Sequence, residues 1–351
     1  MNFDLLKELC ETPGVPSREE RIREVVRREL TPLVDDLRVD AMGNLIAHKR
    51  GSGPNGPKVM IAAHMDEIGF LVKHIDDKGF VRLQQLGGWD PRTMVAQRVQ
   101  VHGFGGHSLL GALQTGNKPS HTQTPEERNK VPTLADFYVD LGLAADEIKK
   151  NVQVGDPVTM ARTAERVGNR VMSKTLDDRV GLFVMIEAIR ACKNLPASHS
   201  AEIYAVATTQ EEVGCRGAET AAYAIQPQVG VALDVTLAAD IPGVGEPDQI
   251  TQLGKGVALK IMDSFSLSHP GLVRQFQAIA QAQGIAYQME VLPLGGTDAG
   301  PIQRSQGGVP AITLSIPTRY VHTPNEMADL GDIEACIALL AKYLEEAQIP
   351  S

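Results

Sequence analysis

Along the first fifty residues the spacing of apolar positions changes from helical to alternating. FDLLKELCE sets Leu5, Leu6 and Leu9 on one face, so a short amphipathic helix is expected over residues 3–11. A second helix is expected to start at Ser17, where Ser17 and Glu20 have the spacing of a capping box. VDDLRVDAMGNLIAHKRG then alternates with period two around a Gly-Asn turn, the pattern of a hairpin. PKVMIAAHMDE follows as an apolar strand that ends in charged residues.

From about residue 70 to 163 the texture changes. FLVKHI, FVRLQQL, RVQVHG, DFYVDLG and GDPVTM are short alternating segments broken by glycine and proline, which predicts a small β-rich unit. Within it GNKPSHTQTPEERNKVPT has almost nothing to bury and reads as a mobile loop. From about 164 strands and helices alternate again. RVGLFVMIEAIRACK, HPGLVRQFQAIAQAQG and DIEACIALLAKYLEEAQ read as helices, while AEIYAVATT, VGVALDV, GVALKIM, IAYQMEVLP and VPAITLSI read as strands. The pattern predicts an α/β fold, a mainly parallel sheet with helices on both faces. Residues 1–69 and 164–351 form that domain, and residues 70–163 interrupt it as an inserted β-rich domain.

Composition narrows the function classes. The chain has 351 residues, 43% hydrophobic and 22% charged, enough for a large core. A formal net charge of −9 argues against nucleic acid as a partner, because phosphate contacts need clustered Lys and Arg. RIREVVRREL mixes glutamates among its arginines and reads as a solvated helix face. Cys10, Cys192, Cys215 and Cys336 are dispersed, which suggests free thiols in a reducing compartment. No run reaches about 18 apolar residues, and MNFDLLKELCETPG has no basic, apolar leader. The expectation is a cytoplasmic protein with no membrane partner.

The chemistry lies where apolar strands end. His64 and Asp66 follow VMIAA, Glu211 and Glu212 follow AEIYAVATTQ, Asp234 follows VGVAL, and His322 follows ITLSIPTRYV. Asp177 and Asp178 precede a helix starting near Arg179. In an open parallel sheet the carboxyl ends of the strands border one crevice, so these residues should converge. Imidazole and carboxylate donors without a thiolate in register fit Zn, Co or Mn. Five ligand positions with one shared carboxylate would hold two divalent ions about 3.5–4 Å apart. Three carboxylates would leave such a pair net positive and favour hydroxide, so one of the two adjacent glutamates should stand off the metals. His64 and Asp66, two apart on extended chain, project to one side, where Asp66 can accept a hydrogen bond from the His64 ring.

AAHMDEIGF, KTLDDRVG, TTQEEVGCRGA, VALDVT, LGGTDAG and YVHTPNE, in this order over nearly the whole chain, resemble the glutamyl-aminopeptidase-like metallopeptidases. That family forms tetrahedral dodecamers and is often called the TET aminopeptidases. The resemblance implies a di-zinc aminopeptidase-like fold whose insertion is a small β-barrel, PDZ-like dimerisation domain. It implies that His64, Asp177 and Asp234 hold one metal, and that Asp177, Glu212 and His322 hold the other. Glu211 would be the general base toward a metal-bridging water, Asp66 would orient His64, and the Asp177–Asp178 peptide would be cis. Short peptides would be the substrates, and a homo-oligomer built from dimers the assembly.

Secondary features carry two readings each. Asp178 is either part of the site or a helix cap. Gly295-Gly296-Thr297-Asp298 either shapes the substrate pocket or is a turn capped by Asp298. Arg319 either lines the site or forms a structural ion pair. Other activities compatible with the pattern are a related di-metal deacylase or carboxypeptidase and, less fittingly, a glycosidase, which needs no histidine ligands. A structural shell subunit with an inert site is a third possibility, but no ligand position is replaced.

Overall fold

The computed structural model describes residues 1–52, 56–116, 118, 120–192 and 201–350. Four parallel strands form its centre, in the spatial order Glu202–Thr208, Lys58–His64, Val229–Leu237 and Ala311–Arg319. Their register sets His64 opposite Thr208 and Asp234 opposite Ser315, so the chemistry-bearing ends lie side by side. Antiparallel strands flank the central four, while Val257–Met262 and Tyr287–Val291 pair in parallel with each other. The expected hairpin forms from Asp36–Val39 and Leu45–Lys49, and its second strand pairs antiparallel with Glu202–Thr208. On the far side Glu326–Asp329, Arg170–Ser173 and Glu165–Val167 follow, again antiparallel.

Both faces of the central strands are covered. Val59, Ile61 and Ala63 enter a large core shared with helices Phe3–Glu11, Leu176–Ala191 and Leu330–Glu345. Met60 and Ala62 enter a smaller core against helices Arg216–Ile225 and Ala299–Arg304. A strand buried on both faces has no polar position to spare, which is why VMIAA runs apolar without alternation.

The β-rich segment closes into a six-stranded barrel, in the order Gly69–Ile75, Val81–Leu86, Phe137–Asp140, Ser108–Thr115, Gln97–His102 and Pro157–Met160. It has its own core, centred on Phe70, Val99, Leu113, Phe137, Val139 and Val158.

Two local expectations turn out differently. The loop expected to be mobile contains a short helix, Pro125–Asn129, capped by reciprocal bonds between Thr124 and Glu127. Positions 117 and 119 of that loop, and Lys193 of the expected helix RVGLFVMIEAIRACK, lie outside the described residues. Ser17 does not cap: it has φ +66°, and the helix begins at Glu20. The buried carboxylate of Glu19 takes the Ser17 N–H at 2.9 Å and the Gln210 N–H at 3.2 Å. Among the described residues, no helix is long and apolar enough to cross a membrane.

Candidate metal centre

The expected ligands meet in one crevice at the carboxyl ends of the parallel strands. His64 is the last residue of its strand, Asp234 lies within Val229–Leu237, and His322 follows Ala311–Arg319 with φ +62°. Glu211 and Glu212 come after Gln210, whose φ of +57° turns the chain away from the strand direction. That turn lets Glu211 and Glu212 both reach the crevice, where a continuing strand would send them to opposite faces. The Asp177–Asp178 peptide is cis, at the head of helix Leu176–Ala191.

Asp177 stands between the histidines. Its Oδ1 is 3.0 Å from His64 Nε2, and its Oδ2 is 3.3 Å from His322 Nε2. His322 Nε2 is also 3.3 Å from Glu212 Oε2, while Glu211 Oε2 is 3.8 Å from His64 Nε2. Ligand atoms of His64, Asp177 and Glu212 lie within 4.8 Å of one another, as do those of His64, Asp178 and Asp234. Glu212 Oε1 is buried with no hydrogen-bond partner. An orphaned carboxylate oxygen among imidazoles and other carboxylates fits a cation donor set.

The protonation preferences point the same way. Burial, then repulsion from Asp234 and Glu212, pushes Glu211 well above the usual carboxylate range. Burial, then Asp177, does the same to Asp234. Burial also raises Glu212, although His322 opposes it. For Asp177 burial opposes ionisation, but the two imidazoles outweigh it and hold the carboxyl low. Burial opposes charging of both histidines too, yet the carboxylates around them raise both. The cluster carries more negative charge than its surroundings can solvate, and cations would relieve it.

Residues 43–339 match the M42 glutamyl aminopeptidase family. The chain belongs to that family. A lysyl aminopeptidase of Pyrococcus furiosus is 36% identical over 355 positions, covering 99% of this chain and 97% of the relative. The structure of an aminopeptidase from the archaeon Desulfurococcus kamchatkensis superposes with a TM-score of 0.93 at 38% identity, covering 99% and 95% of the two chains. The TET1 peptidase of Pyrococcus horikoshii is similar too, with a TM-score of 0.84, 31% identity and coverage of 97% and 98%. That protein can assemble into a tetrahedron or a large octahedral shell. This chain is therefore a peptidase of the M42 aminopeptidase family, whose members are metallopeptidases.

Around the cluster, the M42 chain places a set of supporting carboxylates. Both oxygens of Asp66 accept backbone N–H groups, from Glu211 at 3.0 Å and from Glu212 at 3.1 Å. His64 Nδ1 meets the main-chain oxygen of Asp66 at 3.0 Å instead of its carboxylate, which is 3.7 Å away. Glu326 does a parallel job on the opposite side: it accepts the Asp177 N–H at 3.0 Å and the His322 N–H at 2.9 Å. Glu326 is the last residue of YVHTPNE and opens the strand Glu326–Asp329, and nothing local in the sequence marks its role. Asp178 accepts the N–H groups of His64 at 3.2 Å and Gly181 at 3.0 Å, so it caps its helix and also braces a histidine. A Cβ on Gly181 would fall 2.3 Å from Asp178 Oδ1, so only glycine fits there.

The remaining candidates divide. Asp298 makes no helix-capping bond; it accepts the Thr208 hydroxyl at 2.5 Å, and its Oδ1 is buried without a partner. Arg319 forms a two-pronged ion pair with Asp240, at 2.7 and 2.8 Å, and does not line the crevice. The Cys215 thiol donates to Glu211 Oε1 at 3.1 Å, a contact for which the dispersed cysteines gave no sign. Beneath the site the buried Glu67 pairs with Lys174 at 2.5 Å and accepts the Gly14 N–H at 3.1 Å.

Proposed function

We propose that this M42 peptidase is a two-metal aminopeptidase that removes the N-terminal residue from short peptides. The observation that carries the reading is Asp177, whose two oxygens face two different histidines. A carboxylate so placed suits a bridging ligand. His64, Asp177 and Asp234 would hold one ion, and Asp177, Glu212 and His322 the other. Zinc, cobalt or manganese suits this donor set. When bound, such a pair supplies Lewis acidity and makes water ionisable near neutral pH.

The chain's own groups would do the rest. Glu211, turned away from the strand by Gln210 and reaching within 3.8 Å of His64, takes a proton from the attacking water and passes it to the leaving amine. Its buried, acid-crowded setting makes the carboxylate a stronger base than a solvated glutamate. Asp66 fixes the backbone that carries it. The substrate's free α-amino group, being cationic, is attracted to the acidic end of the crevice. The barrel would serve as a dimerisation surface in a larger homo-oligomer, a dodecamer in the arrangement expected from the family.

The test uses the metal-stripped protein. Hydrolysis of aminoacyl substrates should vanish on chelation, return with Co²⁺ or Zn²⁺, and require a free amino group. Preference for N-acetylated over free-amine peptides would mean a deacylase instead.

A further inference from the structure

A cavity of about 400 Å³ opens beside the metal-ligand cluster, with Glu211, Glu212, Asp234 and His322 at one end. Val235, Leu237, Phe265, Leu292, Leu294 and Val321 supply apolar wall, beside Thr236, Lys260 and Thr297. Three of these, Leu237, Phe265 and Leu294, are exposed by 42%, 47% and 76%. Large apolar side chains left open next to a buried acidic cluster are costly unless something covers them.

The LGGTDAG segment shapes this wall. A Cβ on Gly296 would lie 2.2 Å from the Phe265 ring, so the ring rests directly on the loop backbone. That close approach accounts for glycine at this position, and Phe265 is part of the cavity lining.

Among the described residues, Lys260 is the one Lys or Arg that lines the cavity; its Nζ has no hydrogen-bond partner, but its charge is set against two carboxylates. Its Nζ is 2.8 Å from Glu290 and 3.8 Å from Asp263, and all three side chains are buried. Thr236 donates to Glu290 at 2.6 Å and holds the pair in place. One cation against two carboxylates leaves no positive charge for an incoming acidic group.

We propose that this cavity is the subsite for the substrate's N-terminal side chain, and that it selects large uncharged apolar residues over acidic and basic ones. The proposal rests on the aminopeptidase reading. It departs from the acidic and basic preferences in the names of the family and of the lysyl relative. A leucine, methionine or phenylalanine side chain covers the open wall, each added methylene being worth roughly a few-fold. A glutamate side chain would be desolvated in a cavity whose one lining cation, Lys260, is already outnumbered by Glu290 and Asp263. A lysine side chain would leave its ammonium against the apolar wall.

The experiment compares kcat/KM for Leu-, Phe-, Ala-, Glu- and Lys-terminated chromogenic substrates in the metal-loaded protein, its Phe265→Ala variant and its Leu294→Arg variant. Both positions are substantially exposed, so folding is not at stake. The wild type is expected to favour Leu or Phe over Glu and Lys by about 100-fold. Phe265→Ala should lower the Leu and Phe values about tenfold and leave Ala within about twofold. Leu294→Arg should raise Glu relative to Leu about tenfold. Stabilisation of the metal-loaded protein by free leucine but not by free glutamate, read as a thermal shift, gives a readout independent of turnover. Activity with Glu or Lys preferred, or variants that leave the ranking unchanged, overturns the subsite while keeping the aminopeptidase. Absence of hydrolysis with every side chain, metals present, overturns both.

Discussion

The Asp66 carboxylate accepts the backbone N–H of Glu211 at 3.0 Å, and its second oxygen accepts that of Glu212 at 3.1 Å. One side chain after the strand Lys58–His64 thus fixes the loop after Glu202–Thr208. Asp66→Asn keeps the volume but replaces one acceptor with an NH2 group, leaving a buried N–H unmatched at a cost of about 1–3 kcal/mol. The expected outcome is a folded protein with a lower Tm and kcat reduced by about 100-fold or more, because the Glu211 backbone shifts. Thermal melting and steady-state kinetics check it. A kcat within twofold of wild type would mean that the loop holds its shape without Asp66.

Removing the ions should loosen the fold as well as stop turnover. The buried carboxylates of Asp177 and Asp234 and the half-buried Glu211 and Glu212 crowd one crevice, and Glu212 Oε1 has no hydrogen-bond partner. A ligand present at about 1,000 times its Kd stabilises a protein by about 4 kcal/mol. Chelation is therefore expected to lower the Tm by several degrees, with recovery on adding back Zn²⁺ or Co²⁺. An unchanged melting curve would contradict the assignment of these residues as ligands.

A pH effect is expected away from the site, where the barrel meets the α/β domain. His102 sits between Arg21 at 3.4 Å, Ser108 at 2.9 Å and Thr159 at 3.0 Å. Burial, then the Arg21 charge, pushes its pKa down to about 4; Glu67 and Lys174 also act on it, in opposite directions. A histidine with a depressed folded pKa binds fewer protons than it does unfolded. Its contribution is present in full above pH 6.5 and is lost as pH falls toward 4, by up to about 3 kcal/mol. His102→Gln removes this titration, so the stability advantage of wild type over the variant should shrink from pH 7 to pH 4.5 in denaturant titrations. A constant difference would show that His102 titrates normally.

Much of the architecture was legible because local pattern and tertiary role agree. VMIAA and VGVAL are uniformly apolar because both faces of those strands are buried, and the residues that end them share an edge through parallel register. The first hairpin was legible from its Gly-Asn turn, but the antiparallel pairing of Glu326–Asp329 and Arg170–Ser173 was not, since alternation identifies a strand and not the direction of its partner. Ser17 shows another limit: its spacing suits a cap, but Glu19 turns inward to the Gln210 loop, a contact 191 residues distant. Glu326 and Asp66 hold backbone N–H groups, and no local pattern reports which distant N–H a carboxylate will find. The subsite wall was half visible: the glycine pair suggested close approach, but only packing shows Phe265 as what approaches.

Glu211→Gln tests most directly whether Glu211 moves the proton at a two-metal site. The substitution preserves shape and leaves His64, Asp177, Glu212, Asp234 and His322 in place. Metal content and kcat should be measured on the same preparation, with a substrate bearing a free N-terminal leucine. Two metal ions per chain and a kcat lowered by about 100- to 10,000-fold are expected. Two bound ions with kcat near the wild-type value would contradict that role for Glu211.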